Sequence, residues 1–346
     1  MNIIDTIMTT FTNMEFLSAI ASTIFIILIG YYCRKTGTFN DKTSKVLSGL
    51  VLKLAVPCLA FNAFMKDIDY LQLKQSIDVL IWGFLFLIIL IFVTKPIFSR
   101  YDDVTSMVMS NLAIFGSTTF FGIPIISAVF GDEGVIYANV FNIGYRVLLY
   151  SYCYLQMSSL KFDKNNMKQI FLNPVILLTF AGLLIWVFQE SLPQVSVTDG
   201  NYAFLRFDMT APWIYKPMDY LGSLSSPLAW LAIGSTLGGI PFKDATADSR
   251  VWYYAFIKQI IVPLLNVLLI LVLNALGLSH MAYVAIATTV VMMATPPATV
   301  AVNYAIGFDK QPLLASNASL ISTVMAVIAI PIWLIILQML SQIGLV

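Results

Sequence analysis

Charge is what this sequence has least of. Asp, Glu, Lys and Arg make up only 11% of its 346 residues, against roughly 25% in a soluble globular chain. The charges nearly cancel, leaving a net +1, so no basic surface points to nucleic acid. Histidine is almost missing. His280 stands alone, which leaves no material for a His-based metal site or a catalytic triad. Cys33, Cys58 and Cys153 are the three cysteines and all lie in apolar runs. They read as small hydrophobes, not as a disulfide framework or a metal cluster. Residues 1–13 carry Asp5 and no Lys or Arg, so a signal peptide with its positive n-region is not expected. No cofactor is expected.

What is abundant is apolar. The chain is 59% hydrophobic with a mean hydropathy of +0.86, the composition of an integral membrane protein. An apolar run of roughly 20 residues crosses the ~30 Å hydrocarbon core as a helix. Ten runs qualify, at about 14–33, 44–64, 77–98, 105–130, 133–157, 167–189, 218–240, 251–275, 281–307 and 312–342. The longest connection, 190–217, is polar, contains Trp213 and has room for a surface helix but not a domain. Odd-numbered loops hold Arg34, Lys35, Lys42, Lys45, Lys95, Arg100, Lys161, Lys164, Lys168, Lys243, Arg250 and Lys310, whereas even-numbered loops hold Lys66, Lys74, Arg206 and Lys216. That bias predicts a multi-pass cell-membrane protein with odd loops in the cytoplasm and both termini outside.

Ten spans divide into five plus five. Pro57 and Pro227 are 170 residues apart, and Asp132 and Asp309 are 177 apart. The second offset maps Asn139, Asn142 and Arg146 onto Ser316, Ser319 and Thr323, each triplet on one helix face. Five is odd, so the second half would enter the membrane upside down. The expectation is an all-α protein of two inverted five-helix repeats, residues 1–157 and 158–346, with no soluble domain.

The same offset sets Pro296 and Pro297, in the ninth run, against Thr119 and Phe120 in the fourth. The fourth run has its own weak centre, "FGSTTFFGIP" from Phe115 to Pro124. Proline removes a donor and clashes with the preceding turn. At bilayer depth such breaks are tolerable only inside protein or beside water. Two broken spans therefore predict a shared central site, whose half-helix N-termini suit an anion. Arg146 lies deep in the fifth run and no carboxylate lies at comparable depth. Its guanidinium either holds an anionic substrate or caps carbonyls freed by the breaks. Lys53 and Lys258 lie nearer the helix ends and read as snorkelling. Asn111, Asn266 and Asn274 read as interhelical hydrogen-bonders.

Several stretches resemble the auxin efflux carrier family, whose bacterial members are organic-acid permeases. They are "IGYYCRKTGTFNDKTSKVLSGLVLKLAVPCLAF" (29–61), "GSTTFFGIPIISAVFGDEG" (116–134), "ATPPATVAVNYAIGFD" (294–309) and "ASLISTVMAVIAIPIW" (318–333). The resemblance implies a sodium/bile-acid-symporter-like fold with the fourth and ninth helices broken and crossing, elevator-like transport, and often a homodimer. By position it nominates Ser117, Thr118, Thr119, Thr295, Pro296 and Pro297 for substrate contact. Ser117 stands where members usually show Asn, and it lacks the amide donor. The plant members' long loop after the fifth helix is absent, which turns the expectation from auxin to a small mono- or dicarboxylate such as malate or malonate.

The expected function is a secondary transporter for a small organic anion in a lipid bilayer, with H⁺ or Na⁺ as candidate coupling ions. Arg146 would supply the counter-charge. Asn139 and Asn142 share its face, and Ser316 and Ser319 would line the opposite repeat. Alternatives are a sodium-coupled symporter for a larger organic anion and a membrane sensor. A channel lacks a continuous polar pore, and an enzyme lacks convergent acid–base groups.

Overall fold

The computed structural model describes residues 14–67, 69–158, 174–197, 200–239, 246–279 and 281–345. His280, Lys161, Lys164, Lys168, Lys243 and Asp5 lie outside the described residues, as does the link that would follow a boundary at 157/158.

Helices begin where the polar loops supply acceptors. Asn40 precedes α2 (Asp41–Leu50), after α1 (Met14–Lys35), and forms a capping box with Thr43. Asp69 caps α4 (Tyr70–Phe98), which follows α3 (Val56–Asn62), and Asp102 caps α5 (Asp103–Ile114). After α6 (Ile123–Leu148), α7 (Tyr154–Ser158) and α8 (Pro174–Phe188) comes a two-stranded antiparallel hairpin, β1 (Gln194–Val197) and β2 (Gly200–Ala203), with Val195 opposite Tyr202. Short α9 (Phe207–Thr210) leads to α10 (Pro212–Ser223), α11 (Ser225–Gly238) and α12 (Ser249–Phe256), the last capped by Asp248. The chain ends with α13 (Val262–Ala275), α14 (Tyr283–Met293), α15 (Thr299–Gly307) and α16 (Pro312–Gln342).

Proline shapes the deep turns. Pro57, Pro124 and Pro263 each occupy the second position of α3, α6 and α13. Each helix is entered through a widened π-type turn: Val51–Ala55, Thr118–Gly122 and Ile257–Ile261. The N–H of the residue before each proline reaches back five residues, from Val56 to Val51, Ile123 to Thr118 and Val262 to Ile257. A proline ring cannot donate and collides with the carbonyl four residues back, so the turn widens around it.

The expectation of ten transmembrane helices in two inverted five-helix repeats is not met. Five helical runs among the described residues are long and apolar enough to cross a bilayer: Lys42–Asn62, Tyr70–Phe98, Thr118–Ser158, Ser249–Ala275 and Pro312–Gln342. Hydropathy windows fail for a physical reason, because they sum apolarity and do not register breaks. The run at 281–307 divides into α14 and α15, separated at Ala294–Ala298, and neither piece is long enough to span. The run at 105–130 stops as a helix at Ile114. Its second part joins the next run in one helical stretch bent at Gly131, whose φ of 58° is a left-handed conformation. The run at 218–240 divides between α10 and α11. The connection at 190–217 holds the hairpin and α9 as well as the start of α10.

Two groups of helices pack side by side. One is built from α1, α2, α3, α8, α10 and α11, and the other from α4, α5, α6, α12, α13, α14 and α16. They meet mainly along α6. In the first group α1 lies directly on α11 through Gly30, Gly234 and Gly238. A Cβ on Gly238 would come within 2.9 Å of the Tyr31 carbonyl oxygen, so the small-xxx-small pattern sets the helix distance. In the second group the Trp82 indole donates to Asn266 (2.6 Å) and Asn266 donates to Thr289 (3.1 Å), tying α4, α13 and α14 together.

Candidate functional site

The site begins with an unfinished helix. α5 stops at Ile114 deep in the molecule, which leaves carbonyls without intrahelical donors. In hydrocarbon each unpaired group would cost several kcal/mol. Here the carbonyls find donors. Tyr254 Oη donates to Leu112 (3.0 Å), and the Lys258 ammonium donates to Ala113 (2.9 Å). Tyr254 and Lys258 are four residues apart, so one helix face presents both. Lys258 is fully buried and lies at the negative end of α5, where a cation is stabilised by the helix dipole.

The second break supplies the next partners. The Ala298 amide donates to the Phe115 carbonyl (2.8 Å), and the Ser117 amide donates to the Pro296 carbonyl (2.6 Å). Gly116 and Pro297 thus form an isolated antiparallel bridge. The Gly116 carbonyl accepts from Thr118 N–H (2.9 Å) and from the Tyr145 hydroxyl. Thr295 Oγ1 donates to the Met292 carbonyl at the end of α14 (2.7 Å). Glycine at 116 is needed because an added Cβ would collide with Thr295 Oγ1 and approach Lys258 Nζ to 3.1 Å.

Beside this bridge lies a cavity of about 150 Å³. Gly116–Phe120 and Ala298–Val300 form part of its wall. These residues open the helical run Thr118–Ser158 and α15, so two helix N-termini line one space. Tyr145, Arg146, Leu149 and Tyr150 line it from the C-terminal end of α6 and the turn after it. Arg146 is only 6% exposed. Its Nη2 donates to Thr119 Oγ1 (2.9 Å), and no carboxylate pairs with it among the described residues. A guanidinium with most of its donor fork unused, facing a space bordered by helix N-termini, can receive a carboxylate or another small oxyanion.

A family model described as "Membrane transport protein" matches residues 15–172 and 167–334. The chain belongs to that family, within the superfamily of the auxin efflux carriers. Two archaeal relatives agree in kind. The chain is 23% identical over 221 residues to an uncharacterized transporter of Methanocaldococcus jannaschii, covering 62% of this chain and 66% of that protein. It is 20% identical over 326 residues to an uncharacterized transporter of Methanothermobacter thermautotrophicus, covering 92% and 97%. Family membership places this chain among multi-pass transport proteins of the lipid bilayer and accords with a non-catalytic role.

In this membrane transporter the sequence-nominated residues fall into three groups. Ser117, Thr118, Thr119 and Arg146 line the cavity. Asn142, Thr295, Pro296 and Pro297 stand just behind it: Asn142 accepts from Thr118 Oγ1 (2.6 Å), and Pro296 and Pro297 hold the backbone bridge. Asn139, Ser316 and Ser319 do not line it. Asn139 donates to the Val135 carbonyl (2.8 Å) and accepts from Thr179 Oγ1 (3.3 Å). Ser316 is exposed and donates to the Pro312 carbonyl of its own helix (2.9 Å), and the Ser319 carbonyl accepts from Thr323 (2.7 Å). Helix periodicity put these residues on a polar face, but in membrane helices hydroxyls also satisfy their own i−4 carbonyls.

Lys258 corrects a sequence expectation. It does not snorkel; it caps the broken end of α5. Its signal was the Tyr254–Lys258 spacing in an otherwise apolar stretch. Lys53, by contrast, is exposed. Asn266 joins neighbouring helices, whereas Asn111 donates to the Met107 carbonyl of its own helix (2.9 Å). Thr299 and Tyr150 line the cavity without having been singled out. The chain fold brings them there from α15 and the turn after α6.

Proposed function

We propose that this protein is a secondary transporter moving a small organic anion across the cell membrane by alternating access of the elevator type, as in the organic-acid-permease branch of its superfamily. The observation that carries the reading is Arg146, a buried guanidinium without a carboxylate partner among the described residues, at the wall of a cavity where two helix N-termini open. A cation so placed is expensive unless something anionic arrives to meet it. Ser117, Thr119 and Thr299 border the same space and have hydroxyls suited to orient the second oxygen of a carboxylate. The loop with Arg34, Lys35, Lys42 and Lys45 faces the cytoplasm on this reading, since basic loops are retained on that side.

Sodium coupling fits less well. The ammonium of Lys258 already holds the α5 carbonyl end, where a free cation would otherwise find oxygen ligands.

Uptake into proteoliposomes tests the reading. Arg146→Gln is expected to abolish uptake of carboxylates while the protein inserts and melts normally. Arg146→Lys keeps the charge but loses the planar fork, and is expected to lower affinity about tenfold, equivalent to about 1.4 kcal/mol. Unchanged uptake in Arg146→Gln would remove the guanidinium from the mechanism.

A further inference from the structure

We infer that the preferred cargo is a short monocarboxylate with an apolar body, not a dicarboxylate. This rests on the anion reading above and narrows it. Among the described residues that line the cavity, Arg146 is the sole charged one. Lys258 stands behind Gly116, fully buried and bonded to the Ala113 carbonyl, and does not line the space. The wall also holds Leu52, Phe120, Leu149, Val175 and Val300, and the rings of two tyrosines.

The cavity therefore offers one cation within a largely apolar wall. One carboxylate is matched by the guanidinium in fork geometry. A second would leave water beside aliphatic and aromatic side chains, with no other cation among the described residues of the wall to meet it. The nearby hydroxyls are neutral and do not replace a counter-ion for a desolvated charge. Size agrees. A cavity of about 150 Å³ elsewhere in proteins holds a benzene-sized guest, which matches a carboxylate with a body of roughly three to five carbons. A short alkyl chain gains from burial against this wall, methylene by methylene.

The experiment measures binding to the purified full chain, by melting temperature and by titration, with acetate, butyrate, isovalerate, malonate and succinate at one pH. Butyrate and isovalerate are expected to bind at least tenfold more tightly than either dicarboxylate, and Arg146→Gln is expected to erase the difference from buffer. Dicarboxylates binding as tightly as butyrate, with dependence on Arg146, would overturn the inference and leave the anion reading standing. No Arg146-dependent binding of any carboxylate would overturn both.

Two variants locate the tail. Leu52 is 39% exposed and lines the cavity, so Leu52→Phe is sterically tolerable and narrows the apolar wall. It is expected to reduce the isovalerate-to-acetate affinity ratio about tenfold. Val300→Ala is expected to raise that ratio for longer tails. Equal effects on all acids in both variants would show that the tail does not lie there.

Discussion

At the scale of residues, buried cations divide by what meets them. Lys258 and Arg146 are both charged side chains placed in apolar sequence, and both are buried. Lys258 has a permanent acceptor in the Ala113 carbonyl, so it is part of the framework. Arg146 has only a hydroxyl partner, Thr119, among the described residues, so most of its donors have no resident acceptor there. Gly116 is the residue on which both depend, since it lets the two broken segments touch. Gly116→Ala adds a methyl where Thr295 Oγ1, Lys258 Nζ and the Met292 carbonyl already converge. Overpacking of this kind costs about 1–3 kcal/mol. The variant is expected to melt several degrees lower and to lose anion binding, because the Ser117–Pro296 hydrogen bond must shift. A melting temperature equal to that of the parent would show that the bridge is not tight.

At the scale of elements, proline does most of the shaping. The Val56-Pro57, Ile123-Pro124 and Val262-Pro263 pairs are visible in the sequence, and each marks a widened turn. Leu52 and Thr118–Phe120, in two of these turns, line the cavity, and Lys258 sits in the third. The proline argument extends to a side chain distant in sequence. Pro263 cannot donate to the carbonyl of Gln259, four residues back, and the Trp333 indole of α16 donates to that carbonyl instead (2.8 Å). Trp333→Phe should leave the Gln259 carbonyl unpaired and cost about 1–3 kcal/mol. Pro263→Ala restores an amide donor, so the double variant should lose less than Trp333→Phe alone. Thermal unfolding of the four proteins in one detergent gives the coupling. Strict additivity would show that indole and proline are independent.

At the scale of the whole molecule, the two helix groups meet along α6, the element that carries Arg146. A site on such a seam is open to change when one group moves against the other, which is what alternating access requires. The resident ammonium also sets an expectation for ions. With Lys258 holding the α5 carbonyl end, carboxylate binding should be the same in sodium and in choline chloride at equal ionic strength. Titration in the two salts checks this. A more than tenfold preference for the sodium medium would return a sodium-coupled mechanism. Mass action makes the same comparison readable as a melting-temperature shift.

The sequence by itself determined the membrane class, the two weak points within Phe115–Pro124 and at Pro296–Pro297, and Arg146 as a deep cation with no carboxylate at comparable depth. These are local properties, because apolarity, proline geometry and the absence of a nearby acid are written in consecutive residues. The count of ten spans failed for the same reason in reverse: hydropathy is a running sum and cannot see where a helix stops. Only the tertiary structure decided that Gly116 touches Pro297, that Lys258 caps α5, and that Ser316 bonds its own helix while Thr299 joins the cavity. Each is a contact between distant segments or a choice among acceptors. In a medium without water, every freed carbonyl and every charge must find a partner, and which partner it finds depends on how the helices pack.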